Sequence, residues 1–189
     1  STSSVYINVA AVPTPGTISG TQTICMNETP ATLESLDPGS GRHPSYDWEY
    51  KTESMTTFTL VNSSQSRGES YSPGPLTQTT HFRRILYSTC GEVVTTPVTV
   101  TVYGPPSPGS INAPAPVCPN TSLTITSASP ASGGNGIYTY QWFEQTSQGS
   151  LLPVSGATAL NLNTPNLSSP KAYLRQANTT CGSVFTEPV

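Results

Sequence analysis

Val98, Val100 and Val102 alternate with Thr99 and Thr101, the period-two pattern of a strand with one face buried and one wet. Comparable short runs rich in Val, Ile, Thr and Tyr recur along the chain, separated by Gly, Pro, Asn and Ser. In the first half they predict strands at Thr17–Ser19, Ala31–Ser35, Tyr46–Tyr50, Thr57–Val61, Glu69–Ser72, Thr80–Ser88 and Val98–Val102. In the second half they predict strands at Ser110–Asn112, Ser122–Thr126, Thr139–Phe143, Leu151–Val154, Ala159–Asn163 and Lys171–Asn178. No stretch places apolar residues at helical spacing, so almost no helix is expected.

The two sets are one pattern written twice. Ile24-Cys25 returns as Val117-Cys118, Tyr46-Asp47-Trp48 as Tyr140-Gln141-Trp142, and Thr89-Cys90-Gly91 as Thr180-Cys181-Gly182, at offsets of 93, 94 and 91 residues. A period this long is a whole domain, and about seven short strands with turns between them make a β-sandwich. A tryptophan on the third strand adds an immunoglobulin-like character. The expected organisation is a terminal strand plus linker over residues 1–12, one immunoglobulin-like repeat over 13–104 and a second over 105–189. Ser4–Val9 has the same alternation as Val98–Val102, 93 residues earlier, and is read as the last strand of a preceding repeat. Val189 corresponds to Val98, so the second repeat is read as lacking its last strand. Head-to-tail strand exchange between molecules is therefore a candidate association.

Composition narrows function. Only 9% of the 189 residues are charged and the net charge is −3, which gives no footprint for nucleic acid or an anionic membrane. No run of eighteen apolar residues is present, so direct membrane insertion is not expected. Asp37 and Asp47 are the only aspartates, and both histidines, His43 and His81, fall in the first repeat. That leaves little material for a carboxylate pair or a metal cage, and neither catalysis nor a cofactor or metal is expected.

The four cysteines fall two per repeat at matching places, and the repeat favours the pairs Cys25–Cys90 and Cys118–Cys181, one internal disulfide per domain. Free thiols are the alternative; a zinc site lacks the ligand spacing. Disulfides point to an extracellular setting. Trp48 and Trp142 are read as core residues, with sugar stacking as the rival. Arg83, Arg84 and Arg175 are candidate ligand contacts for a carboxylate or sulfate, or else cross-strand partners of acids such as Glu49 and Glu144.

Together, Pro15–Gly20, Ile24–Cys25, Pro30–Leu33, Tyr46–Trp48, Tyr71–Arg84 and Pro97–Val102 resemble the immunoglobulin-like repeats of giant surface adhesins of Bacteroidetes, of the SprB gliding-motility type. The resemblance implies export by type IX secretion, display at the cell surface, and a spacing or adhesive role beside neighbouring repeats of the same chain. The second repeat departs from it where Arg83 becomes Leu174. The alternatives are a polysaccharide-binding module and a spacer within a secreted hydrolase, marked respectively by exposed aromatics such as Phe58 or Tyr87 and by a catalytic neighbour.

Overall fold

The computed structural model describes residues 5–189. The chain divides into two compact units, Ser1–Val102 and Tyr103–Val189. Each is all-β, an immunoglobulin-like sandwich; the described residues hold no α-helix, only a 3₁₀ turn at Ser64–Ser66.

Unit 1 contains β1 (Thr17–Ser19), β2 (Gln22–Cys25), β3 (Glu34–Asp37), β4 (Ser45–Thr52), β5 (Thr59–Leu60), β6 (Thr80–Ser88), β7 (Gly91–Val94) and β8 (Val98–Tyr103). One sheet runs β2-β8-β6-β4-β5, with β7 beside the far end of β6. The facing layer is β1 paired with β3, extended by a bridge from Leu33 to Tyr71. The first strands thus lie beside the last, as a Greek-key sandwich requires. β6 and β4 make the longest ladder, from Ser45 opposite Tyr87 to Thr52 opposite Thr80. β7 and β8 flank the same edge of β6 in succession. The chain bends out at Thr95 and Pro97 between them, and proline cannot donate to a ladder. Between the layers lie Leu33, Trp48, Tyr71, Phe82, Val98 and Val100.

Unit 2 contains β9 (Ser110–Ile111), β10 (Thr124–Ile125), β11 (Ser127–Ser129), β12 (Thr139–Gln145), β13 (Leu151–Pro153), β14 (Leu162–Asn163), β15 (Ala172–Thr179) and β16 (Gly182–Phe185). Its main sheet runs β13-β12-β15-β16, and the facing layer is built from the pairs β9–β11 and β10–β14. Ile125, Trp142, Leu162 and Tyr173 form its core.

The long strand Thr80–Ser88 falls where the alternation predicts it to the residue, and so does the short strand Thr17–Ser19. The short edge strands β2, β7 and β16 were not legible, because a two-faced pattern is absent where neither face is deeply buried. Glu69–Ser72 forms no strand and pairs only through Tyr71. Residues 1–4, including Ser4 of the expected first strand, lie outside the described residues. Residues 5–9 form no strand, and Val5, Ile7 and Val9 are 87%, 87% and 92% exposed. Alternation makes a strand only when a neighbouring strand supplies the ladder.

Candidate functional site

The most elaborate polar arrangement in either unit surrounds a fully buried arginine on the long strand. Along β6, period two puts Phe82, Arg84 and Leu86 on one face, and all three are buried. Arg84 lies directly opposite Trp48 on β4. Its Nη1 donates to Ser35 Oγ at 2.7 Å and to the Glu69 carbonyl at 2.9 Å. Its Nη2 donates to the Pro15 and Asp37 carbonyls, each at 2.9 Å. The guanidinium lies over the Tyr46 ring, 4.9 Å from its centroid. One side chain of β6 thereby ties together the approach to β1, both ends of β3 and the loop before β6. Burial lowers the Arg84 pKa, an effect opposed by Tyr46, Glu69 and Asp37. The same burial, aided by Glu69, raises that of Tyr46.

Unit 2 builds the same clamp. Arg175 lies opposite Trp142 and is fully buried. Its Nη1 donates to the Leu160 carbonyl at 3.0 Å, and its Nη2 to the carbonyls of Pro108 at 3.0 Å and Ser129 at 3.4 Å. The Tyr140 ring again lies 4.9 Å away. In both units a threonine secures the arginine's own backbone: Thr95 and Thr186 accept from the Arg84 and Arg175 amides through Oγ1 and donate their amides back to the arginine carbonyls. Nε is the one clamp atom without a partner in either copy.

The repeated Pro-Gly follows from this clamp. Pro15 and Pro108 present carbonyls to the guanidinium, and Gly16 and Gly109 then turn with φ of 69° and 67°. A Cβ at Gly16 would sit 2.1 Å from the Asp37 carbonyl oxygen, and one at Gly109 2.3 Å from that of Ser129. Only glycine fits where two backbones approach so closely.

Two expectations are corrected here. Arg84 and Arg175 are not ligand contacts, because both are sealed in the interior and their η nitrogens are already occupied. Arg83 does reach the surface, but its Nε donates to Glu49 Oε2 at 2.6 Å and its guanidinium stacks 4.2 Å above Phe58. Glu144 pairs with Lys171, not with an arginine.

The internal disulfides are not formed either: Cys90 and Cys118 are free and exposed, whereas Cys25 and Cys181 are disulfide-bonded. Neither unit can join its own two cysteines. Asn27, two residues after Cys25, bonds to Leu76 ahead of β6, while Cys90 follows the far end of that strand. Nine strand residues separate those ends by about 30 Å, and bridged Cα atoms need to lie within about 7 Å. Cys118 and Cys181 are likewise separated by β15. In antibody domains a disulfide joins the two strands that Arg84 links here, so the arginine occupies that structural role.

Trp48 and Trp142 offer no sugar platform. Both are fully buried, and their indole N–H groups donate to the Gly68 and Ala159 carbonyls at 3.0 and 2.9 Å. Tyr71 packs on Trp48 with ring centroids 5.7 Å apart. Phe58 and Tyr87 are half-buried. His81 is held between Thr99 and Glu53, each at 2.9 Å. Among the described residues no group of three His, Cys, Asp or Glu could hold a metal ion, and no helix is long and apolar enough to cross a membrane.

Fold and clamp together define a pair of immunoglobulin-like domains whose layers are cross-linked by a buried arginine. The chain belongs to the family described as a domain of unknown function, DUF8696, whose model matches residues 14–104 and again 107–189. No curated protein matches the sequence. Among solved structures it is similar to the N-terminal four Ig domains of Dscam1 isoform 6.9, at 14% identity and TM-score 0.46, covering 96% of this chain and 46% of that one. Titin domains I67–I69 match at 11% identity and TM-score 0.46, covering 94% and 64%. Extracellular domains 3–5 of Drosophila OTK match at 12% identity and TM-score 0.45, covering 92% and 60%. The chain spans less than two thirds of each of these structures.

Proposed function

We propose that the two units are spacer domains of a large adhesin displayed outside the cell, of the kind found in the gliding-motility adhesins that the sequence motifs resemble. The observation that carries the reading is the duplicated arginine clamp. What both copies keep is Trp, Arg, Thr and Pro-Gly, all spent on holding two layers together. What differs between copies, Arg83, His43 and His81, is what a ligand or substrate would need. A domain kept for its cohesion suits a chain that carries load between a surface and a distant binding region. Disulfide-bonded Cys25 and Cys181 fit an oxidising, extracellular compartment. The reading assigns no catalysis to these units.

Polysaccharide recognition is the second reading. It has one observation in its favour, the Arg83–Phe58 stack, with the Arg83 side chain 28% exposed. Binding of the two-unit chain to a glycan array and to agar separates the two. The spacer reading expects no saturable binding; saturable binding abolished by Arg83→Ala or Phe58→Ala would replace it with the second.

A further inference from the structure

In each unit one loop is tied to the segment that leads into the first strand, and the two loops differ in chemistry. In unit 1 the loop between β3 and β4 holds the approach to β1, where Thr14 and Ser40 exchange backbone hydrogen bonds at 2.9 and 3.1 Å. In unit 2 the loop between β11 and β12 holds the approach to β9. Ser107 and Ser132 exchange bonds at 2.7 and 3.0 Å, and the Gly134 amide donates to the Gly104 carbonyl at 3.1 Å. The Tyr138 hydroxyl steadies this loop by donating to the Gly133 carbonyl at 2.6 Å. The unit 1 loop, residues 38–44, contains no asparagine, whereas the unit 2 loop contains Asn135-Gly136, the only Asn-Gly pair in the sequence.

That pair has the parts for a reaction of its own. Gly136 is exposed, turns at a φ of 75°, and has nothing within 4 Å of where a Cβ would lie, so no bulk shields its amide nitrogen from the Asn135 side chain. Its N–H is held by the Gly133 carbonyl at 3.3 Å, longer than a usual N–H···O bond. Asn135 Oδ1 accepts from the Ile137 amide at 3.1 Å. A donor on that oxygen polarises Cγ and stands where negative charge develops when a nucleophile adds to it. We propose that Asn135 is a self-modifying site, at which the Gly136 nitrogen closes onto Asn135 Cγ and deamidates it without an enzyme.

The step needs water alone. Solvent base takes the Gly136 amide proton, the nitrogen bonds to Cγ, and the oxyanion forms on Oδ1 under the Ile137 N–H. Collapse expels the side-chain nitrogen as ammonia and leaves a five-membered succinimide. Water then opens the ring, at Cγ to give an aspartate at position 135, or at the main-chain carbonyl to give an isoaspartate. One ammonia is released, one water is consumed, and nothing is oxidised or reduced. Either product puts a carboxylate beside Gly134, and the isoaspartate lengthens the backbone by one carbon inside the loop. Both weaken the bonds from Ser132 and Gly134 to Ser107 and Gly104, so unit 2 loses this tie with age while unit 1 keeps its own.

The test is incubation of the full chain in mildly alkaline buffer, read by peptide mass spectrometry and by methylation with an isoaspartyl methyltransferase. Asn135 should convert at least tenfold faster than Asn62, which precedes a serine, and no slower in the folded chain than in urea. Asn135→Gln should remove the isoaspartate signal and leave thermal unfolding unchanged. In the converted fraction the Ser107 and Gly134 amides should exchange hydrogen at least tenfold faster, with β12 and β15 unmoved, and Asn135→Gln carried through the same incubation should keep full protection. An Asn135 that outlasts Asn62, a folded rate tenfold below that in urea, or unchanged exchange at Ser107 and Gly134 after conversion would overturn the proposal.

Discussion

Units 1 and 2 differ at one flank and agree in the middle. At the flank, unit 1 carries β2 and β8 side by side with Val100 sealed between the layers, whereas the matching residues 115–118 of unit 2 form no strand. In the middle, a tryptophan and an arginine face each other across two long strands in both, and the arginine reaches the facing layer through three or four hydrogen bonds. The comparison separates the part that makes the sandwich from the part that completes it. Unit 2 builds both layers and a Trp142 core with no strand at residues 115–118. The central ladder and the clamp are the part that both units share.

That separation can be sharpened with substitutions. The largest effect outside the clamp is expected from Val100→Ala, which removes two buried methyl groups from unit 1 alone and costs about 2 kcal/mol. Denaturant unfolding should register this in unit 1 with unit 2 unmoved; no change would mean that β8 is peripheral to the fold of unit 1. Gly16→Ala and Gly109→Ala force a Cβ onto a backbone carbonyl at a positive φ in both units, at roughly 1–3 kcal/mol each. Equal losses in thermal unfolding would place the Pro-Gly turn in the shared framework, and a loss in only one unit would break the equivalence. The smallest effect belongs to Arg83→Ala. Its bond to Glu49 and its stacking on Phe58 lie near the surface of unit 1, where such pairs contribute about 0.2–1 kcal/mol. High salt should erase most of that difference, and an effect as large as that of Val100→Ala would show that Arg83 is structural too.

The sequence carried the fold class and the long strands, because Thr80–Ser88 and Val98–Val102 alternate over enough residues to set a face. It also held the signal for the clamp. Arg84 stands in step with Phe82 and Leu86, and Arg175 with Tyr173 and Ala177, so period two already places both arginines inward. The doubling of arginine in the first repeat hid this, since only the second of the pair recurs. Charge alone suggested a surface role. The cysteines misled for a different reason. A repeat establishes which cysteines are equivalent, but not which are neighbours: Cys25 lies near the start of β6, where Asn27 bonds to Leu76, and Cys90 follows the far end of that strand. That residues 115–118 form no strand where Gln22–Cys25 do was not legible, because strand pairing is something alternation alone cannot express.

The account stands on the buried arginine, and amide hydrogen exchange on the full chain bearing Arg84→Met tests it most directly. Methionine keeps the bulk but leaves the carbonyls of Pro15, Asp37 and Glu69 without their donor, at a cost of about 3 kcal/mol or more. Protection across β3, β4 and β6 should then fall on the order of a hundredfold, with β12 and β15 of unit 2 as the unchanged internal reference. Protection in unit 1 equal to that of the wild type would contradict the claim that the arginine clamp, in place of a disulfide, holds these layers together.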